Sequence, residues 1–80
     1  MEHTILLRNF KIEKRNGKYL YSVQIFEQGI YSFLSDGKMN EKIEKAKAAD
    51  DEERYWESIE IACKKILTHN NFFFDEIEII

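Results

Sequence analysis

The sequence predicts an α+β domain. Three strands form an antiparallel meander, one main C-terminal helix covers it, and a fourth strand follows (β-β-β-α-β). Three observations carry this reading. Asn16-Gly17 joins two stretches of alternating polarity. Trp56, Ile59, Ala62, Cys63, Ile66 and Leu67 recur at helical spacing. The tail from Phe72 to Ile80 is rich in aromatic and β-branched residues, which favour strands.

The first hairpin is the clearest local signal. Asn-Gly suits a type I′ turn, which needs positive φ at both central residues. A two-residue loop pairs Arg15 with Lys18, Lys14 with Tyr19, Ile12 with Tyr21 and Phe10 with Val23. Tyr19, Tyr21, Val23 and Ile25 then share one face, and Leu20, Ser22, Gln24 and Phe26 the other. Unbroken, this register puts Arg8 opposite Ile25 on the core side. Ile5 and Leu7 are also out of phase with Phe10 and Ile12. A bulge near Arg8-Asn9 resets the alternation and returns both apolar sets to one face.

A second turn is expected at Glu27-Gln28-Gly29, with Ile25 opposite Tyr31 and Val23 opposite Phe33. The third strand ends at the turn sequence Ser35-Asp36-Gly37. Residues 39–49 read as a charged crossing or a short solvated helix. Asn40 is its candidate cap and Ile43 its one strong core residue. Asp50 with Glu53 resembles a capping box opening the main helix, Asp51 to His69. Asn70-Asn71 suits a left-handed C-cap. In the tail, Phe73, Ile77 and Ile79 alternate as a strand, although Phe73, Ile77 and Ile80 also fit a helix. The expected core is Phe10, Ile12, Tyr21, Val23, Ile25, Tyr31, Phe33, Trp56, Ile59, Cys63, Ile66 and Leu67.

The 80 residues are expected to form one domain of marginal stability, since a chain this short buries only about 60% of its unfolded surface. Eleven aromatic side chains compensate. A single cysteine excludes an intrachain disulfide. No apolar run is long enough to span a membrane. Met1-Glu2-His3 does not open a secretory signal. A cytoplasmic protein of a bacterial cell is therefore expected. Phe, Tyr, Met, Ile, Asn and Lys number 37 of 80 residues, against ten for Gly, Ala, Arg and Pro, a bias that points to an AT-rich source such as a phage or plasmid.

The charges are sorted along the chain. Residues 1–38 carry a net +2 and residues 39–80 a net −5. Three surfaces follow. Asp50, Glu53, Glu57 and Glu60 step by three, four and three residues, which makes one carboxylate row along a helix. Such a row suits a basic protein partner; its bland role is capping and solvation. Phe26, Ile30 and Leu34, with Leu20, form an apolar set on the sheet face away from the helix, of interface size if contiguous. Lys11, Lys14, Arg15 and Lys18 make a basic hairpin able to touch phosphates. Four cations neutralise few of them, so direct nucleic-acid binding should be weak or absent.

No catalytic order of Ser, His and Asp, no phosphate-cradling glycine loop and no zinc-ligand spacing occurs. Cys63 sits on the apolar helix face as a core thiol. No enzymatic role, cofactor or metal is therefore expected. The best reading is a small acidic binding protein: an inhibitor of phage or mobile-element type (anti-defence, of the anti-CRISPR kind) that covers a basic nucleic-acid-binding surface of a bacterial protein. The alternatives are a small nucleic-acid-binding or regulatory module using the basic hairpin, and an immunity or antitoxin protein. The sheet face or the C-terminal strand also offers a route to a homodimer.

Overall fold

The computed structural model describes residues 3–35 and 37–80. Met1 and Glu2, read above for a secretory signal, and Asp36, read above as part of the turn sequence Ser35-Asp36-Gly37, lie outside them. The described elements are β1 (Thr4–Arg15), β2 (Lys18–Ile25), β3 (Gly29–Ser35), α1 (Lys38–Ala48), α2 (Glu52–His69) and β4 (Glu76–Ile79). The sheet order is β3-β2-β1-β4. The meander, the main helix and the C-terminal strand are those expected, and of the two readings of residues 39–49 the structure has the short helix, over Lys38–Ala48.

The first hairpin follows the Asn-Gly logic. Asn16 and Gly17 have φ of 49° and 78°, and Arg15, Lys14 and Ile12 face Lys18, Tyr19 and Tyr21. The register shifts between Arg8 and Lys11. Asn9 is the bulged residue, at φ 57°, a conformation asparagine tolerates better than most side chains. Its Nδ2 donates to Gln24 Oε1 at 3.1 Å. The bulge pairs Leu7 with Ile25 in the core and moves Arg8 opposite Gln24 on the other face.

The second hairpin corrects the expected register. The loop is Phe26–Gln28, and Ile25 pairs with Gly29. Tyr31 faces Val23 and Phe33 faces Tyr21, rather than Ile25 and Val23. Gln28 N donates to Ile25 O at 3.0 Å, and Glu27 takes φ 65°, so the chain turns earlier than a glycine-led loop requires. The slip is two residues, the side-chain period of a strand, so each aromatic keeps its face.

α1 is capped by Gly37, not Asn40. Gly37 has φ 103°, a conformation that favours glycine, and a Cβ there would lie 3.0 Å from the Tyr19 ring, which would have to shift to admit it. Met39, Ile43 and Ala46 are buried at helical spacing. At the far end Asp50 N donates to Lys47 O (3.2 Å) and Asp51 N to Ala46 O (2.9 Å). With Asp50 at φ 54°, this is a Schellman closure. Asp50 is thus spent on ending α1, and the cap of α2 falls to Asp51, whose Oδ1 accepts from Arg54 N at 3.2 Å. α2 ends the same way. Asn71 has φ 62°, and Phe72 N donates to Leu67 O at 2.9 Å. Asn70 Nδ2 donates to Ser32 O and Ile66 O, tying this end to β3.

β4 runs parallel to β1, with Ile5 beside Ile77 and Leu7 beside Ile79. Phe73, expected in this strand, precedes it and is exposed. The core joins Leu7, Tyr21, Val23 and Ile25 of the sheet to Ile59, Ala62, Cys63, Ile66 and Leu67 of α2, with Met39, Ile43 and Ala46 of α1 alongside. Phe10, Ile12, Tyr31 and Phe33 pack around it, partly buried. Trp56, expected in the core, is 51% exposed.

Candidate protein-binding surface

The exposure of Trp56 follows from its place at the margin of the sheet. Consecutive residues Ala62-Cys63 and Ile66-Leu67 are both buried further along α2, whereas of Tyr55 and Trp56 only Tyr55 is covered. Tyr55 stands four residues before Ile59 and seven before Ala62, on the row that reaches the sheet. It is partly buried against the core. Trp56 lies at the edge of the buried stripe, its ring edge-on to Tyr55 with centroids 5.5 Å apart. Spacing alone does not separate the two, because Trp56-Ile59-Cys63-Ile66 is as regular a helical row as Tyr55-Ile59-Ala62-Ile66.

The carboxylate row is shorter than expected. Asp50 lies outside α2, in the left-handed turn, and is not part of the helical row. Glu53, Glu57 and Glu60 are exposed along the helix beside Trp56. Glu60 Oε1 accepts from Lys64 Nζ at 3.2 Å, and Arg54 Nε lies 3.6 Å from Asp51 Oδ2. Glu53 and Glu57 pair with no cation among the described residues. Ile61, on the far side of the row from Trp56, is also exposed. The solvent face of α2 is therefore a carboxylate row flanked by an indole and an aliphatic side chain.

The sheet face away from the helices is banded rather than continuous. Leu20 faces Leu34, Ser22 faces Ser32, and Gln24 faces Ile30. The serine pair lies between Leu20-Leu34 and Ile30, which are two strand repeats apart, about 13 Å. Phe26, Ile30 and Leu34 are all exposed, Ile30 by 75%. A shallow hollow beside Leu20 and Ile30, about 290 Å³, is lined mostly by polar side chains, including Asn9, Lys11, Glu13 and Gln24.

The basic hairpin is split between faces. Lys14 sits opposite Tyr19 on the helix side, whereas Lys11 sits opposite Ser22, and Arg15 opposite Lys18, on the open side. Arg15 Nη2 is held by Glu13 Oε2 at 3.0 Å. The structure does not gather these four cations into one phosphate-binding strip.

Cys63 is wholly buried, and burial, then the nearby Glu60 carboxylate, pushes its thiol up to about 12. It is held as a thiol in the core. Among the described residues no group of three or more His, Cys, Asp or Glu is placed to hold a metal ion. No described helix is long and apolar enough to cross a membrane. Comparison with protein families, with characterised proteins and with solved structures finds no match.

Proposed function

We propose that the protein is a non-enzymatic inhibitor of phage or mobile-element type. It docks the solvent face of α2 on a basic, nucleic-acid-binding surface of a bacterial protein. The observation that carries this reading is an exposed Trp56 set against the Glu53-Glu57-Glu60 row. A small domain needs its large aromatics in the core, and leaving the indole in water forgoes much of its burial energy. Interfaces recover that energy, and tryptophan is among the residues most enriched where binding energy concentrates. The flanking carboxylates speed the encounter with a cationic groove and select against anionic partners. The net charge of −3 acts in the same direction. The banded sheet face supports a weaker second contact, and the split hairpin gives nucleic acid little to hold.

The test is retention of a bacterial protein by the immobilised chain from nuclease-treated lysate. The expected partner is displaced by added DNA or RNA, because both would occupy the same groove. It is lost on Trp56→Ala and on the Glu57→Lys/Glu60→Lys double change, with the fold unchanged by circular dichroism. A partner retained by all these variants, and lost only on Phe26→Ser and Leu34→Ser, moves the interface to the sheet and overturns the α2 reading. High-affinity binding of the chain itself to nucleic acid, lost on Lys14→Glu or Arg15→Glu, replaces it with the hairpin reading.

A further inference from the structure

A groove of about 650 Å³ wraps the C-terminal end of β3, and its charge is opposite to that of the whole chain. Phe33, Leu34 and Ser35 of β3 and Met39 of α1 also line it, Phe33 on the helix side of the sheet and Leu34 on the open side. Lys18 from β2, Lys38 and Lys42 from α1, and Lys65 from α2 line it. No carboxylate is among the described residues that line it. Lys18, Lys42 and Lys65 make no ion pair with any described residue. A third of the chain's twelve cationic side chains thus meet at one concavity of a protein with net charge −3.

Their sequence positions hide the cluster. Lys38 and Lys42 are one helical turn apart, but Lys18 and Lys65 come from distant parts of the chain. The α1 N-terminus opens at the same place, adding the positive end of a helix dipole.

We propose that this groove binds the phosphate chain of a small molecule: a nucleoside polyphosphate or bare polyphosphate. Ammonium groups on flexible stems act as point charges and follow successive phosphates without a fixed fork geometry. The volume matches small-ligand sites, about 300–1,000 Å³, and Phe33 and Met39, on the helix side of the sheet, offer apolar contact to an attached base. Size also decides against a long strand. Within a Debye length of about 8 Å a compact anion feels mainly the local lysines. An extended polyanion would reach beyond the groove and feel the chain's net negative charge.

The experiment is titration of the whole chain with sodium tripolyphosphate, ATP and a single-stranded 12-mer at fixed ionic strength. It is read by backbone amide NMR shifts and calorimetry. Saturable shifts are expected at Lys18, Lys42 and Lys65 with the first two ligands. The Lys42→Gln and Lys65→Gln changes should each weaken association about tenfold, with Arg at either position restoring it. Lys45→Gln, away from the groove, leaves binding unchanged. ATP binding more tightly than tripolyphosphate assigns the apolar lining to a base; equal affinity assigns the site to the phosphate chain alone. Three results overturn the proposal. One is no saturable shift at about 1 mM ligand, a weak limit for specific binding. Another is binding indifferent to both glutamine changes. The last is a 12-mer that outcompetes both small ligands. If the glutamine variants instead self-associate with no loss of ligand binding, the lysines guard the free edge of β3 and the phosphate site is wrong.

Discussion

The two ends of α2 carry similar apolar residues to different fates. From Ile59 to Leu67 the inward row is packed against the sheet, with Cys63, Ile66 and Leu67 fully buried. One turn earlier, Trp56 is half in water. Both belong to one amphipathic stripe by spacing. The difference is what lies opposite. The C-terminal half faces the centre of the sheet and is fastened to β3 by Asn70, by the Tyr31-Phe72 ring contact at 4.8 Å and by the Phe33-His69 contact at 5.1 Å. At the N-terminal half Tyr55 takes the inward position, near Phe10, Ile12 and Tyr19 at the margin of the sheet, and Trp56 is left at the edge. A helical stripe shows which side turns inward; it does not show where the cover stops.

The sharpest way to break this contrast is at the buried end. Ile66→Ala should cost about 2–5 kcal/mol in urea unfolding. A domain of this length holds only about 4–12 kcal/mol in all, so the variant should be close to unfolded at 37 °C. A loss below 1 kcal/mol would mean that this half is loosely packed and the contrast false.

Cys63 tests the same end through pH. Its thiol is raised from 9.0 to about 12, so the folded state keeps a proton that the unfolded chain gives up. Stability from this group is therefore full below pH 9 and falls as pH rises from 9 towards 12, by at most about 1.4 kcal/mol per pH unit. Urea midpoints at pH 8, 9 and 10 should fall more steeply for the native chain than for Cys63→Ala, each relative to its own pH 8 value. Native Cys63 should also resist thiol reagents until denaturant is added, and rapid labelling would show an open face.

At the junction between the helices, Asp51→Ala removes the α2 cap and should cost about 1 kcal/mol. Asp50→Ala, at φ 54°, should act through backbone strain instead, and Asp50→Gly should be tolerated or stabilising. If Asp50→Ala lost no stability while Asp51→Ala did, the left-handed role of Asp50 would be wrong.

The smallest stability effects belong to the exposed end. Trp56→Ala and the Glu57→Lys/Glu60→Lys pair should each shift stability by under about 1 kcal/mol, since exposed charges and half-exposed rings contribute little to folding. The same changes should abolish partner retention. A large loss of stability in Trp56→Ala would return the indole to a structural role and remove the anchor from the proposed interface.

Much of the architecture could be read directly along the chain. The Asn16-Gly17 turn, the Arg8-Asn9 bulge, the Asn71 helix end and the face assigned to every β2 residue rest on local rules: φ preferences, period-two alternation and hydrogen bonds within a few residues. Those interactions are short-range, so the residues involved are neighbours in sequence. The loop at Phe26–Gln28 was placed wrongly because two registers a strand period apart bury the same aromatics, and only backbone closure chooses between them. Asp50 and Asp51 were exchanged because both suit a cap, and the choice depends on how α1 ends, not on how α2 begins.

The site was less legible for the same reason. The Glu53-Glu57-Glu60 spacing was visible in the sequence, whereas the exposure of Trp56 depends on the extent of the sheet beneath it. The lysine groove joins β2, α1 and α2 around the end of β3, and no local pattern connects Lys18 to Lys65. The sequence by itself determined the antiparallel meander, the Asn16-Gly17 turn and the inward stripe of α2, because backbone preference and hydrophobic period act over a turn or a strand repeat; the place of β4 beside β1 was not among them. The tertiary structure alone decided how far that stripe is covered and which distant cations meet, because burial and surface potential depend on elements brought together only by packing.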